Sequence, residues 1–247
     1  MRNIIWLSAN KFGFELLKEA SKISKIKAII TLKQDSKTIM YDGIDNEKWD
    51  DFNIDVYRID KINEEEELIR ELSPDIIVMC GWRQVIDEKI LKIPKDYFVG
   101  FHPTLLPEGR GPAPIINSIM NNYHKSGLTL FHVSPGLDDG DIIGQDGFII
   151  SDDDYAMDVY NKAIDAGRKL IRKYLPMLIQ GNAPRMKQDE SKATIFCKRR
   201  IKDNEIDVKN ESADNIYRKI RALSKPYNGA YIKKDNRKII IWKAELE

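Results

Sequence analysis

The chain has 247 residues, enough for one large α/β domain with a small appendage. Forty Lys and Arg stand against 39 Asp and Glu, and a net charge of +1 sets up no long-range field to gather nucleic acid or an anionic membrane, so a small substrate is expected. The two cysteines, Cys80 and Cys197, match no metal or redox spacing, and no apolar run approaches the ~18–20 residues that cross a bilayer, so a cytoplasmic protein without disulfides is expected.

The first two-thirds alternates short apolar runs with helical periodicity, the pattern of an α/β fold whose Rossmann-like, mostly parallel sheet carries helices on both faces. Asn3–Ser8 reads as the first strand, Phe12–Ser24 as an amphipathic helix and Lys27–Leu32 as the second strand. Residues 33–53 are polar and aperiodic, which predicts a loop with one short helix. Val56–Ile59 reads as a strand and Glu64–Leu72 as a helix. The turn Ser73-Pro74-Asp75 then leads into Ile76–Cys80, apolar throughout as a doubly covered central strand is. A short helix near Glu88–Leu91, a strand at Tyr97–Phe101 and a helix from Ala113 to Tyr123 follow, then β structure over Gly127–Val133 and Ile142–Ile150. Ser151-Asp152-Asp153-Asp154 offers N-capping side chains for a long helix that runs to about Gln180 and stops at Gly181-Asn182.

After Arg185 the composition changes, which places a catalytic domain in residues 1–185 and an appendage of linker, helix and hairpin in residues 186–247. The basic stretch Lys187–Lys202 precedes a helix over Ala213–Leu223 and a turn over Pro226–Gly229. Two alternating strands, Ala230–Lys234 and Lys238–Lys243, are joined by Asp235-Asn236-Arg237. A lone hairpin is marginal in water. An apolar face of Tyr231, Ile239 and Ile241 therefore predicts packing against the main domain or a homodimer formed through the hairpin.

Chemistry concentrates in two segments. Gly100-Phe101-His102-Pro103-Thr104-Leu105-Leu106-Pro107 runs through Gly109-Arg110-Gly111-Pro112-Ala113-Pro114 into a helix, so a histidine ends a strand where α/β sheets collect ligands, well placed for proton transfer. Taken alone it is equally a structural histidine bonded to backbone. Ser134-Pro135-Gly136-Leu137-Asp138-Asp139-Gly140-Asp141 reads locally as a solvated turn, since a calcium loop's acidic core and terminal Glu are absent.

Together the two segments resemble the 10-formyltetrahydrofolate-dependent formyltransferase family: a His-Pro-Thr-Leu-Leu-Pro loop, an Arg-Gly-x-Ala-Pro helix start and, with Asp138 36 residues after His102, a Leu-Asp-x-Gly-Asp turn. The likeness extends through Lys198-Arg199-Arg200 to Arg221-Ala222-Leu223-Ser224-Lys225-Pro226-Tyr227-Asn228-Gly229-Ala230. The resemblance implies that His102 and Asp138 are catalytic. His102 would donate to the developing oxyanion and move the proton, and Asp138 would hold it charged and oriented. It also implies a 10-formyltetrahydrofolate pocket built largely by the backbone of Gly81, Trp82, Arg83, Gln84 and Val85 and by the turn at Asp138 and Gly140. Trp82 itself is expected in the core. Thr104, Arg110 and Gly111 are candidates for substrate contact, Arg110 as a bidentate partner for phosphate or carboxylate. Lys198-Arg199-Arg200 is a possible diphosphate contact or a solvated face. His124 and His132 read as structural, and no metal is expected.

One position departs from the family pattern. The usual motif is Asn-x-His, whereas residue 100 is glycine on the same strand face as His102. A second oxyanion donor is therefore missing; a water in the space beside Gly100, or the side chain of Gln84 or Asn117, is the expected substitute. The short tail and near-zero charge resemble the sugar-nucleotide N-formyltransferases, so a nucleotide-linked amino sugar is the expected partner. A methionyl-tRNA enzyme is the second reading, with nucleic acid not favoured, and a binding protein that has lost catalysis is the third.

Overall fold

The predominantly apolar runs of the first hundred residues become parallel strands of one sheet, because a strand covered on both faces needs no polar alternation. In the computed structural model, which describes residues 2–247, five strands run parallel: β1 (Ile4–Ser8), β2 (Ala28–Leu32), β3 (Asp55–Ile59), β4 (Ile76–Cys80) and β5 (Tyr97–His102). β6 (Lys125–His132) and β7 (Ile142–Ile149) complete it antiparallel. The order β3-β2-β1-β4-β5-β6-β7 puts the topological switch between β1 and β4. Beyond the carboxyl ends of such strands open α/β sheets bind their ligands.

Alternate side chains of each strand feed two cores. Ile4 and Trp6 enter the larger one with α1 (Lys11–Ile23), and Ile5 and Leu7 enter the smaller one with α2 (Glu66–Glu71) and α3 (Glu88–Leu91). Asn10 caps α1 by accepting from the Gly13 amide at 3.1 Å. The apolar spacing Phe12, Leu16, Leu17, Ala20 buries one stripe against the sheet and α5 (Ala156–Gln180). Gly167 marks the crossing, since a Cβ there would stand 2.6 Å from Leu16 Cδ2. Glu19 fastens the same crossing by accepting from Arg172 at 2.6 Å and Lys22 at 3.0 Å. These bonds hold its carboxyl down to about 2.

α4 (Pro114–Met120) is shorter than the periodicity predicts because Ala113 takes a left-handed φ of 51° and Asn121 closes the last turn. The long helix begins one turn later than expected. Ser151–Asp154 closes its own turn, with the Ser151 amide on the Asp154 carboxylate at 2.7 Å, and the cap passes to Tyr155, whose amide donates to Asp158 at 2.9 Å.

The tail carries α6 (Ala213–Leu223), capped by Ser212, and the hairpin of β8 (Ala230–Lys234) and β9 (Arg237–Ile241). Asp235 and Asn236 both take positive φ, so the turn has two residues and Arg237 pairs with Lys234. That register corrects the expected apolar face. Tyr231 stands opposite Ile240, while Ile239 and Ile241 share the other face with Ile232. Among the described residues no helix is long and apolar enough to cross a membrane.

Candidate active site

β5 ends at His102, which is only 6% exposed. Its Nε2 lies 2.7 Å from the Gly109 carbonyl oxygen. A carbonyl only accepts, so that nitrogen carries its hydrogen and Nδ1 is left as the nitrogen that can take or give a proton. Nδ1 faces Asp138 Oδ2 at 3.5 Å, longer than a direct hydrogen bond and short enough for a charge to be felt. The same Oδ2 accepts from the Gly111 amide at 2.8 Å. Asp138 sits at φ 50° with its side chain 24% exposed, and its Oδ1 receives no protein donor among the described residues. Two groups 36 residues apart in the chain are thus brought together as a proton-exchanging nitrogen beside a half-satisfied carboxylate.

The loop after His102 is built inward. Thr104 is 2% exposed and returns its amide to the His102 carbonyl at 2.9 Å, while its own carbonyl accepts from Thr129 at 2.7 Å. Arg110 is 6% exposed and grips Glu190 with two nitrogens at 2.6 and 2.9 Å. It also donates twice to Gln188 Oε1, at 2.8 and 3.1 Å. Thr104 and Arg110, the residues expected to contact substrate, are both buried, and every guanidinium nitrogen of Arg110 has a protein acceptor. Gly111 spends its amide on Asp138 rather than on a ligand.

Residues 186–196, assigned to the appendage by composition, cross both the loop after His102 and the turn at Asp138. Met186 exchanges backbone bonds with Ile142 at 2.7 and 2.9 Å. Thr194 receives the Gly109 amide on its hydroxyl at 2.8 Å and the Arg110 amide on its carbonyl at 2.9 Å, and the Phe196 amide closes on the Arg110 carbonyl at 2.8 Å. Gln188 donates to the carbonyls of Asp138 and Gly140, both at 2.8 Å. Sequence reasoning missed Gln188, Glu190 and Thr194 because the segment has no periodicity and its partners lie 48 to 85 residues away.

At the end of β4, Gly81 has φ 61° and the Asn10 side chain fills the place of a Cβ, so only glycine fits. Trp82 is half-buried against the smaller core, and its indole nitrogen is buried without a partner. Gln84 accepts from the Ile62 amide at 2.9 Å and donates to Thr38 and the Asp60 carbonyl at 2.9 and 2.7 Å. Val85 is 82% exposed.

Gly100 holds no room for water. A Cβ there would meet Val133 Cγ2 at 3.0 Å, Met79 Cε at 3.2 Å and Phe131 at 3.5 Å. The expected water is replaced by apolar packing, which offers it no partner. Neither side-chain substitute is free: Gln84 is consumed as described, and the Asn117 amide donates to the Pro112 and Cys197 carbonyls at 2.8 and 3.4 Å.

Arg83 stacks over Tyr41 at 5.2 Å and donates to Asp42 at 3.0 Å. Asp42, given no role by the sequence, is buried and also accepts from Asn10 and Tyr160, each at 2.7 Å. Burial and this carboxylate push the Tyr160 hydroxyl far above its ordinary pKa. His132 is held by the Pro184 carbonyl at 3.1 Å, and burial lowers its pKa. Arg199 bonds the Asp203 carbonyl at 3.2 Å, with Lys198 and Arg200 exposed beside it.

Comparison with known families matches residues 16–175 to the formyl transferase model and 200–247 to the formyl transferase C-terminal domain. The bifunctional polymyxin resistance protein ArnA of Wigglesworthia glossinidia brevipalpis is 36% identical over 178 residues, 72% of this chain and 27% of that protein. The methionyl-tRNA formyltransferase of Halalkalibacterium halodurans is 36% identical over 194 residues, 78% of this chain and 61% of that one. The chain therefore spans 27% and 61% of the lengths of these two relatives. Among solved structures, the N-formyltransferase of Helicobacter canadensis, in complex with folinic acid and dTDP-3-aminofucose, superposes with a TM-score of 0.75 at 23% identity, over 97% of this chain and 87% of that one.

Proposed function

The chain belongs to the formyl transferase family, and from that premise we propose that it moves a formyl group from 10-formyltetrahydrofolate to the amine of a nucleotide-linked amino sugar. The observation that carries the reading is the meeting of His102 Nδ1 with the Asp138 carboxylate at the end of β5. The folate supplies the formyl carbon as an electrophile. His102 Nδ1 receives the proton that the amine sheds as its nitrogen bonds that carbon, and the Asp138 carboxylate opposes the positive charge left on the ring. His102 then returns the proton to the folate nitrogen as its bond to the formyl carbon breaks, leaving an N-formyl sugar and tetrahydrofolate.

The backbone of Gly81–Val85 and the turn at Asp138 and Gly140 would hold the folate. The sugar substrate is supported by the Helicobacter canadensis complex and by a net charge of +1, which sets up no long-range field toward tRNA. Incubating the purified protein with 10-formyltetrahydrofolate and a panel of nucleotide-linked amino sugars, with methionyl-tRNA alongside, tests it by mass of the formylated product. Formylation of methionyl-tRNA alone would move the assignment to the tRNA enzyme, and folate binding without any product would make the chain a binding protein.

Two copies would pair through the hairpin. Beyond the turn, Ile239 and Ile240 of β9 are 50% and 46% exposed, one on each face. The other strand, β8, is covered by a bridge from Glu205 to Tyr231, and β9 is the open edge. Light scattering at micromolar concentration should give a dimer that Ile240→Lys dissociates; a monomeric wild-type protein would reject this interface.

A further inference from the structure

We propose that Gln188 is the positioning residue that sets the approach of Asp138 to His102, with Arg110 and Glu190 as its anchor. The inference rests on the formyl-transfer reading for its kinetic consequence and on geometry alone for its structural one.

The Gln188 amide is fully used. Its two hydrogens go to the Asp138 and Gly140 carbonyls, both at 2.8 Å, and its oxygen accepts twice from Arg110 at 2.8 and 3.1 Å. Turning the amide over would set oxygen against two carbonyls and N–H against a guanidinium, so its orientation is fixed by its neighbours. Arg110 is fixed in turn by the paired contact with Glu190 at 2.6 and 2.9 Å.

The residues on either side of Arg110 complete a ring. The Gly109 carbonyl takes His102 Nε2, and the Gly111 amide takes Asp138 Oδ2. His102, Gly109, Arg110, Gln188 and Asp138 are therefore linked in a closed path that joins one catalytic loop to the other. The turn bearing Asp138 is otherwise held at its far end, where Asp141 accepts from the His132 amide at 2.9 Å and from Arg185 at 3.0 Å. Its residue 138 is in the left-handed region, and within the turn Ser134 bonds only Asp139. A shift of ~1 Å in a reacting group costs on the order of 10²-fold in rate.

Gln188→Glu separates this role from simple support of Arg110. Glutamate keeps the size and both Arg110 contacts, loses both donors and sets a carboxylate against two carbonyls. The expected result is a kcat lowered about 10- to 100-fold with KM for the formyl donor within about threefold, and a thermal midpoint close to wild type. In the folate-free protein the His102 Nδ1 resonance, assigned by its loss in His102→Asn, should move in both Gln188→Glu and Gln188→Ala. Should these variants not fold, Arg110→Lys, which retains charge but not the fork, should produce the same change in the His102 resonance. An unmoved resonance in a folded variant overturns the proposal, as does a Gln188→Glu protein with wild-type kcat. A wild-type protein that transfers no formyl group removes the function instead, and the resonance still decides the positioning.

Discussion

Two aspartates near the carboxyl ends of this sheet meet opposite fates. Asp42, at the ends of β1 and β4, takes donors from Asn10, Tyr160 and Arg83, and its side chain is 4% exposed. Asp138, against the end of β5, takes one backbone amide, faces a histidine at 3.5 Å and keeps one oxygen open. A carboxylate whose lone pairs are occupied by fixed donors has nothing to offer a substrate. One left half-satisfied beside an exchangeable ring nitrogen has both charge and room. The two differ in bonding more than in burial, and on the proposed reading it is the incomplete bonding beside a proton carrier that suits Asp138 to its role.

The sharpest test sets the two against each other. His102→Ala or Asp138→Asn should lower formyl transfer by about 10²- to 10⁴-fold with little change in thermal midpoint, measured on product formation and by calorimetry. Asp42→Ala should do the reverse, losing about 3 kcal/mol in urea unfolding because three donors, one of them charged, lose their acceptor. The comparison breaks if Asp138→Asn unfolds the protein or if a folded Asp42→Ala is as inactive as His102→Ala. Next in size, Gly100→Asn should cost about 1–3 kcal/mol by forcing Met79 and Val133 aside, without raising turnover. A faster enzyme would show that apolar packing at Gly100 is no obstacle to the family's amide.

The smallest effect lies far from both sites. Glu19 has a folded pKa of about 2, below its unfolded value near 4.3. Its contribution is therefore complete above pH ~4.3 and is lost as pH falls through about 2. Arg172 and Lys22 are 57% and 69% exposed, so screening limits it to on the order of 1 kcal/mol. Urea unfolding of Glu19→Gln should show that deficit at pH 7 and almost none at pH 2.

Local pattern made much of this legible. The apolar run Ile76–Cys80 announced a central strand, the periodicity of Phe12–Ser24 announced an amphipathic helix, and the spacing of His102 and Asp138 within two motifs drew attention to a pair that the structure brings together. What stayed hidden depends on long separation or on a single residue of register. Gln188 and Thr194 meet partners up to 85 residues away, and nothing in Lys187–Lys202 marks them. The hairpin faces were misassigned because the turn holds two left-handed residues rather than three, and one residue exchanges the sides of a strand.

The crossing segment has a consequence for the order in which the protein is made. A nascent chain that has emerged as far as Gln180 contains every strand of the seven-stranded sheet and the whole of α5. It still lacks Gln188, which holds the Asp138 turn, and Thr194 and Phe196, which pin the loop around Gly109 and Arg110. The scaffold can therefore form during synthesis before the active site does. An arrest between Gln180 and Phe196 would leave a body with the sheet of the finished protein and the Gly111–Asp138 bond between its two loops, without the tethers that Gln188, Thr194 and Phe196 add to them.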